Sequence, residues 1–326
     1  MSPCVSVVVP TRARPELLER CLAALAGQEL EPCRYEVIVV DDAPALDTFR
    51  QVTGWARREC ERGLAIRYLA ACHEPHGPAA ARNRGWRAAR GEIIAFTDDD
   101  CLPEPDWLRA GLTALAPGIS GVYGRVSVPL PDTPTDYQQN AALLEHASYL
   151  TANAFYRRCA LEEAGGFDER FELAWREDSD LAFTLLDLGH RIEHAPAARV
   201  VHPVRPARWG VSVGQQHKAM YNALLHRKHP ERFPWSPRNG PIWEYYRITG
   251  ALLATAAALA LDRRRLGLGF AALWAALVGR FARRRLAGTS IAPRHVAEMI
   301  ATSTILPPLG IFWRLRGAVR YRVPYF

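Results

Sequence analysis

The sequence lacks the cysteine patterns of a zinc site or a disulfide framework. Its seven cysteines are Cys4, Cys21, Cys33, Cys60, Cys72, Cys101 and Cys159. They form no C-x-x-C pair and have no histidine partner at zinc-binding spacing. The chain passes from Met1 almost directly into a strand-like run, which leaves no room for a secretory leader. An odd number of cysteines without a leader predicts reduced thiols in the cytoplasm.

The sequence also lacks an uninterrupted apolar run of the roughly 20 residues that a membrane-spanning helix needs. Residues 248–261 and 266–279 are uncharged, Ala/Leu-rich stretches of 14 residues each. A third stretch, 296–313, is interrupted by a glutamate and by two adjacent prolines. These lengths predict helices that do not cross a membrane.

Positive charge is concentrated near the C-terminus. The whole chain has a net charge of +7, but residues 247–326 contain 13 arginines and two acids, which leaves −4 for residues 1–246. Arginine clusters flank the short apolar stretches, and Trp274, Phe281 and Trp313 are suited to an interface. We therefore expect an in-plane or re-entrant helix pair at an anionic membrane surface. An ordinary helical hairpin with its arginines in water is the alternative.

Strand-like and helix-like segments alternate over the first third of the chain. Strands are predicted at 5–9, 35–40, 66–69 and 93–96, and helices at 15–26 and 79–90. This alternation implies right-handed crossovers and a mostly parallel sheet, in which ligands bind beyond the carboxyl ends of the strands. Further strands are predicted at 121–128, 154–157 and 199–202, and further helices at 161–164 and 177–188.

Three adjacent aspartates, Asp98, Asp99 and Asp100, directly follow one of these apolar runs. A buried strand explains the run but not the carboxylates, which repel one another unless they are solvated or share a cation. A hard divalent ion such as Mg²⁺ or Mn²⁺, bridging to a diphosphate, would relieve that repulsion. An acidic turn that caps the next helix is the alternative. Two other strand ends are also polar, at Pro10-Thr11-Arg12 and at Asp41-Asp42.

The order of these signals resembles the family 2 glycosyltransferases, which share the GT-A nucleotide-sugar fold. The resemblance covers about residues 4–205. The matching segments are VSVVVPT at 5–11, VIVVDD at 37–42, ARNRG at 81–85, IAFTDDD at 94–100, GGFD at 165–168 and WREDSDL at 175–181. The turn after Asp42 departs from the usual pattern, since Ala43-Pro44 stands where a Gly-Ser or similar pair is common.

The resemblance implies a nucleotide crevice at the first two strand ends. Asp42 would accept hydrogen bonds from the base and the ribose, and Asp41 would share that work or cap the turn. Pro10, Thr11 and Arg12 would line the same crevice. Arg82 and Asn83 would act as donors near the diphosphate, although a surface helix arginine is an alternative for Arg82.

The resemblance also implies a metal site and a catalytic base. Asp98 and Asp100 match the D-x-D pattern that holds Mg²⁺ or Mn²⁺, with Asp99 supporting the ribose or the backbone. His202 would contact the metal or the diphosphate, or serve a structural role.

Asp178 is the expected base for the acceptor hydroxyl, with Glu177 in support. The helix dipole also favours acids at such a position. Trp175 would offer a flat face to a sugar or lipid acceptor, or pack in the core.

We therefore predict an α/β protein with a GT-A domain over 1–246 and a basic, apolar helical tail over 247–326. The nucleotide-sugar half would span about 1–117 and the acceptor half about 118–246. The expected reaction is inverting transfer from a nucleotide-diphospho-sugar, with a UDP-sugar as the default. The expected acceptor is a lipid-linked or cell-envelope glycan at the cytoplasmic face of a membrane.

Two other functions fit parts of the pattern. A sugar-phosphate nucleotidyltransferase has a similar sheet but usually a glycine-rich basic loop after the first strand, and residues 10–15 contain no glycine. A non-enzymatic membrane-binding or nucleic-acid-binding module would use the basic tail. The apolar stretches between the arginines favour lipid, so no nucleic-acid partner is expected.

Overall fold

The computed structural model describes residues 3–71, 76–234 and 243–325. Cys72 lies outside these residues, and the six cysteines within them are free thiols.

The described chain contains eight strands and twelve α-helices. The strands are β1 (Val5–Thr11), β2 (Tyr35–Asp41), β3 (Ala65–Ala70), β4 (Ile93–Phe96), β5 (Leu102–Pro103), β6 (Gly121–Ser127), β7 (Ala154–Arg157) and β8 (Ile192–Val201). The helices are α1 (Pro15–Ala26), α2 (Leu46–Cys60), α3 (Pro78–Ala88), α4 (Trp107–Ala114), α5 (Asp136–Ala142), α6 (Arg158–Ala164), α7 (Glu177–Asp187), α8 (Val211–Gln215), α9 (Met220–Lys228), α10 (Trp243–Ala260), α11 (Arg264–Leu286) and α12 (Pro293–Arg320).

These elements form two compact units, each described by itself below. The sheet unit comprises residues 1–129 and 142–205, and the helical unit comprises residues 130–141 and 206–326. The predicted boundary after residue 246 refers to functional domains, and it remains a prediction.

The sheet unit is built on one sheet with the strand order β3-β2-β1-β4-β7-β6-β8-β5. All pairings among β1, β2, β3 and β4 are parallel, because the helices α1, α2 and α3 each cross back over the sheet between consecutive strands. β7 is antiparallel to both β4 and β6, and β5 is antiparallel to β8. The predicted α/β fold is confirmed, with antiparallel strands added to its parallel half.

Both faces of the sheet are buried, which explains the unbroken Val/Ile runs. On one face, side chains such as Val7 and Phe155 pack with α1, α2 and α4. On the other face, Val8, Phe96 and Tyr156 pack with α3, α6 and α7. The carboxyl ends of β1, β2 and β4 therefore open between two well-packed layers, where loop side chains can be held rigidly.

One strand of the sheet is longer than the sequence indicated. β8 was predicted at 199–202 but begins at Ile192 and pairs with β6 across a bulge at Gly124/Arg125. Its buried positions include the small residues Ala195 and Ala198, and Pro196 and Ala197 lie between them. Such a composition does not predict a strand from the sequence alone, because the strand depends on its pairing with β6.

The helical unit contains the helices α10, α11 and α12, which pack through Ile248, Val278, Phe281 and Leu306. Arg285 lies inside this unit, with its side chain 8% exposed, and its Nη2 is 2.8 Å from Asp136 Oδ2. Its Nη1 donates to the hydroxyl of Thr302 at 2.7 Å. Burial of this ion pair links α5, α11 and α12.

The tail helices are longer than the apolar stretches that suggested them. α11 has 23 residues and α12 has 28, because flanking arginines continue each helix and because α12 includes Pro307 and Pro308. Arginine is a good helix former, and packing around the buried Leu306 and Pro307 offsets the cost of interior prolines. The expectation of helices too short to span a membrane is therefore wrong for α11 and α12, which are long and apolar enough by length and composition.

Candidate active site

The three aspartates after β4 lie beside the end of β1, since Val8 pairs with Phe96 in the parallel register. Asp99 turns toward the first loop and is 1% exposed. Its Oδ2 accepts from the Thr11 hydroxyl at 2.8 Å, and its Oδ1 lies 3.0 Å from Arg14 Nη1. Burial and the neighbouring aspartates raise the pKa of Asp99, while Arg14 and Thr11 oppose that rise. Asp99 therefore stabilises the loop after β1 through these two contacts.

Asp98 and Asp100 instead converge with Cys101 and His202. One potential ligand atom from each of these four residues lies within 4.8 Å of the others. Two carboxylates and an imidazole suit Mn²⁺ or Mg²⁺, so the residues fit the expected metal. Burial and the nearby Asp98 and Asp100 charges raise the pKa of the Cys101 thiol well above its ordinary value, which leaves Cys101 as the poorest donor of the four.

Two further side chains, Arg205 and His202, contact this acidic group. Arg205 Nε lies 3.0 Å from Asp100 Oδ2, and His202 Nε2 lies 3.6 Å from Asp100 Oδ1. Burial by itself would raise the pKa of Asp98, but Arg82, His202 and Arg205 together hold it below its ordinary value. Asp98 is therefore ionised and ready to bind a cation.

Arg82 lies between the acidic cluster and the expected base. Its Nη2 is 2.7 Å from Asp98 Oδ1, and its Nη1 is 2.9 Å from Glu177 Oε1. The Arg82 and Glu177 side chains are each 3% exposed. The surface-arginine alternative is therefore excluded, and the guanidinium holds two distant carboxylates in a fixed relation.

Glu177 and Asp178 begin α7 in different surroundings. The preceding residue, Arg176, has φ of +79°, a left-handed conformation that is strained for a side chain and redirects the backbone at this point. Glu177 is buried, and burial together with the Asp178 charge raises its pKa to about 7, against the effect of Arg82. Asp178 is half-buried, and its Oδ1 accepts from the Ser179 backbone N–H at 2.6 Å. Asp178 is thus the more accessible of the two carboxylates.

The second strand end holds two aspartates with different partners. Asp41 is fully buried and accepts from the backbone N–H groups of Ala43 and Ala45, each at 3.1 Å, and from the Tyr68 hydroxyl. Asp41 therefore stabilises the turn, one of the two roles expected for it.

Asp42 forms contacts around the expected nucleotide crevice. Its Oδ2 lies 3.2 Å from Arg12 Nη1, and its Oδ1 accepts from the Gly77 N–H at 2.9 Å. The Arg12 side chain is 63% exposed, so it can move toward a ligand. Pro10 is half-buried within β1.

Asn83 lies in a different network from the carboxylates. Its amide donates to Phe167 O at 2.8 Å and to Glu169 Oε1 at 2.7 Å. Its carbonyl accepts from the Phe167 N–H and from Trp86 Nε1, each at 2.9 Å. All four hydrogen bonds that Asn83 can form are therefore used within the protein, and the expected diphosphate contact is not supported. Asn83 holds the turn at 165–168 instead.

Trp175 precedes the acidic pair and is 39% exposed. The Arg176 guanidinium lies 4.8 Å from the centre of its ring. More than a third of Trp175 is therefore open to solvent, and its role toward an acceptor stays a prediction.

Sequence reasoning missed Arg14 and Arg205. Arg14 belongs to the run Thr11-Arg-Ala-Arg14, where Arg12 drew attention because it is next to the strand end. Arg205 follows His202 by three residues in a proline-containing segment without periodicity. A search for basic residues near each predicted strand end would have found both.

The model of the Glycosyl transferase family 2 matches residues 6–167, and that of the Glycosyl transferase family group 2 matches residues 132–314. The second match covers more than half of the chain. Together with the GT-A-like sheet and the acidic cluster, these matches define the class of protein. The chain belongs to the family 2 glycosyltransferases.

Several curated proteins are similar to this chain. Glycosyltransferase AglE of Haloferax volcanii is 28% identical over 63% of this chain and 68% of the relative. Pre-mycofactocin glycosyltransferase of Mycobacterium tuberculosis is 32% identical over 62% of this chain but only 43% of the relative. Validoxylamine A glucosyltransferase of Streptomyces hygroscopicus subsp. limoneus is 28% identical over 74% of this chain and 61% of the relative. The chain thus spans only part of these relatives.

Two solved structures share the fold. The mannosyltransferase PcManGT from Pyrobaculum calidifontis, in complex with GDP-Man and Mn²⁺, matches with a TM-score of 0.56 at 23% identity, over 99% of this chain and 88% of that one. TarS 1-349 from S. aureus, in complex with UDP-GlcNAc, matches with a TM-score of 0.51 at 17% identity, over 96% and 92%. At these identities the likeness establishes the fold.

Proposed function

We propose that the protein is an inverting, metal-dependent glycosyltransferase that moves a sugar from a nucleotide-diphospho-sugar to a hydroxyl group. The observation that carries this proposal is the Arg82 bridge, which ties the Asp98 carboxylate to the Glu177–Asp178 pair through contacts of 2.7 and 2.9 Å. One buried side chain thereby joins a candidate metal ligand to the carboxylate that precedes the proposed base in the sequence. GDP-Man and Mn²⁺ in PcManGT, and UDP-GlcNAc in TarS, support a donor of this class.

The donor would lie across the carboxyl ends of β1, β2 and β4. Asp42 and Arg12 form the side of the crevice suited to a base and a ribose, because they offer a hydrogen-bond acceptor and a movable cation. Asp98, Asp100 and His202 would hold a divalent cation, which when bound supplies positive charge for the leaving diphosphate. Arg205 adds a second positive charge on the same side.

Asp178 is the proposed base, and Glu177 positions it. The acceptor hydroxyl gives its proton to the Asp178 carboxylate while its oxygen bonds to the anomeric carbon. The bond from that carbon to the diphosphate oxygen breaks, and its electron pair leaves with the nucleoside diphosphate. Attack and departure on opposite faces invert the anomeric configuration. Asp178 suits the role of base because it is accessible, whereas Glu177 is buried against Arg82.

The acceptor is proposed to be lipid-linked or part of a cell-envelope glycan, used at the cytoplasmic side of a membrane. The helical unit supports this proposal with exposed apolar side chains on α11 and α12, such as Leu268 at 70% and Val319 at 78%. Arginines flank them, as expected for contact with anionic lipid.

Calorimetric titration with UDP, GDP and dTDP, each with and without Mn²⁺, tests the donor site. Binding of one nucleotide in the micromolar range, dependent on the metal, is the expected result. Failure of all three to bind the full chain in the presence of phospholipid would contradict the proposal.

A further inference from the structure

A row of paired residues crosses the sheet at the level of the candidate active site. Phe96, two residues before Asp98, pairs with Ala154 of β7. Ala154 pairs with Tyr123 of β6, and Tyr123 pairs with His194 of β8. Tyr123 and His194 therefore lie at the same level of the sheet as the carboxyl end of β4, which the acidic cluster follows.

The same register fixes the face on which these side chains lie. Paired residues of adjacent strands point to one face of a sheet, and consecutive residues point to opposite faces. Phe96 and Ala154 pack on the face covered by α7, whereas Val122 packs on the other face. Tyr123 and His194 are therefore on the α7 side, and α7 carries Asp178 near its first residue.

These rings continue into a connected aromatic group. The Tyr123 and His194 rings stack with centroids 5.1 Å apart and planes 29° apart. Tyr149 meets Tyr123 edge-on at 5.0 Å and also meets Phe183 of α7 at 6.4 Å. Tyr149 has φ of +64°, a strained conformation that tends to persist where function requires it. His194 is exposed, and Tyr123 and Tyr149 are half-buried.

Tyr156 packs beside Phe96, the first residue of the row, with ring centroids 6.3 Å apart. It is fully buried on the same face, and its hydroxyl has no hydrogen-bond partner among the described residues. Burial raises its pKa. Through the contact of Tyr149 with Phe183, the aromatic group meets α7, the helix whose second residue is the carboxylate that we assign as the base.

The chemistry of these side chains selects among possible ligands. A phosphate group would need fixed positive charge, whereas this group consists of phenol, phenyl and imidazole rings. A pyranose offers an apolar face of C–H bonds to pack on flat rings, and hydroxyls at its edge for the Tyr hydroxyls and the His194 ring nitrogens.

We propose that Tyr123, Tyr149 and His194 form the acceptor subsite, and that the acceptor group bound there is a sugar ring. This inference rests on the proposed transfer function, because it concerns the acceptor of that reaction. It specifies the reacting group of the acceptor proposed above as a sugar ring, held on the side of the sheet where α7 carries Asp178.

Saturation-transfer NMR with methyl glycosides tests this subsite. The full chain, with Mn²⁺ and the nucleotide that it binds, is titrated with methyl glucoside, methyl galactoside, methyl mannoside and, as a lipid probe, farnesyl phosphate. We expect signal on the ring C–H protons of at least one glycoside, lost or weakened about tenfold in Tyr123→Ala. Tyr123→Phe should keep the signal, since it retains the ring. Leu188→Ala, which removes an exposed apolar side chain just after α7, is the matched control.

The results separate this inference from the proposed function. If the unsubstituted protein binds no nucleotide, the proposed function itself fails. If nucleotide binds but no glycoside does, or only farnesyl phosphate does, the acceptor subsite is overturned and the donor site stands. Equal glycoside binding by Tyr123→Ala and the unsubstituted protein also overturns it. Nucleotide binding by each variant establishes that the sheet unit is folded.

Discussion

Replacement of Arg82 by alanine should destabilise the sheet unit severely. The substitution removes the cation between Asp98 and Glu177, and the Glu177 side chain is only 3% exposed. Breaking a buried ion pair by removing one partner costs about 3–5 kcal/mol, because the remaining charge is left uncompensated. For a unit of this size, that loss corresponds to a fall in Tm of about 6–20 °C.

Arg87→Ala is the matched control, because Arg87 lies on the same helix. Its side chain is 50% exposed and 3.6 Å from Glu169, so its loss should change the stability by no more than about 1 kcal/mol. Arg82→Lys keeps the charge but not the two-armed geometry, and it should give an intermediate loss. This variant keeps the comparison usable if Arg82→Ala does not fold.

Urea unfolding of the three variants, followed by tryptophan fluorescence, gives the comparison. Equal stabilities of Arg82→Ala and Arg87→Ala would refute the reasoning, because they would mean that the buried bridge contributes nothing beyond a surface pair.

Three further results are expected. Asp100→Ala should abolish metal-dependent nucleotide binding in calorimetry. The control Asp47→Ala, at a side chain on α2 that is 90% exposed, should leave this binding unchanged. Unchanged Mn²⁺-dependent affinity in Asp100→Ala would exclude the metal assignment. Because the pKa of Glu177 is raised to about 7 from an ordinary 4.5, its contribution to stability is full below pH 4.5 and lost as the pH rises through 7. Glu177→Gln keeps an acceptor for Arg82 but cannot titrate. Urea unfolding at pH 5 and pH 8 should therefore show a smaller loss of unfolding free energy with rising pH in the variant than in the unsubstituted protein. Equal losses would contradict the raised pKa of Glu177. Leu266→Glu combined with Leu268→Glu, at side chains 57% and 70% exposed, should reduce flotation with anionic liposomes, and unchanged flotation would argue against lipid contact through α11.

The parallel half of the fold could be predicted from local pattern alone. Val5–Thr11 and Tyr35–Asp41 are buried on both faces, and such strands form continuous apolar runs that are visible without knowing their partners. β8 could not be bounded this way, because two of its three buried positions are alanines and the segment 195–198 contains a proline and shows no apolar alternation. The length of α12 was also hidden, since a proline pair in sequence does not reveal the packing that keeps the helix intact.

In the candidate site, too, local sequence pattern marks some residues, whereas contacts between residues distant in the sequence cannot be predicted from it. Asp98 and Asp100 are marked by their position after an apolar run, and Asp178 by its position at a predicted helix start in a segment that resembles the family, so sequence could single them out. The partners of Arg82 could not be foreseen, because Glu177 is 95 residues away and only the packing of α3 and α7 brings the two together. Asn83 is expected near the diphosphate because of the segment ARNRG, but the sequence does not reveal that its side chain binds the turn at 165–168, since consecutive residues of a helix point in different directions.

Substitution of Asp178 by asparagine tests the central claim most directly. Nucleotide affinity with Mn²⁺ should remain near that of the unsubstituted protein, because Asp178 is not among the proposed donor ligands. The rate of nucleoside diphosphate release from the matching nucleotide sugar should fall by about 10²–10⁴-fold, the usual contribution of a positioned base. Retained turnover in Asp178→Asn would contradict the account and move the role of base to Glu177.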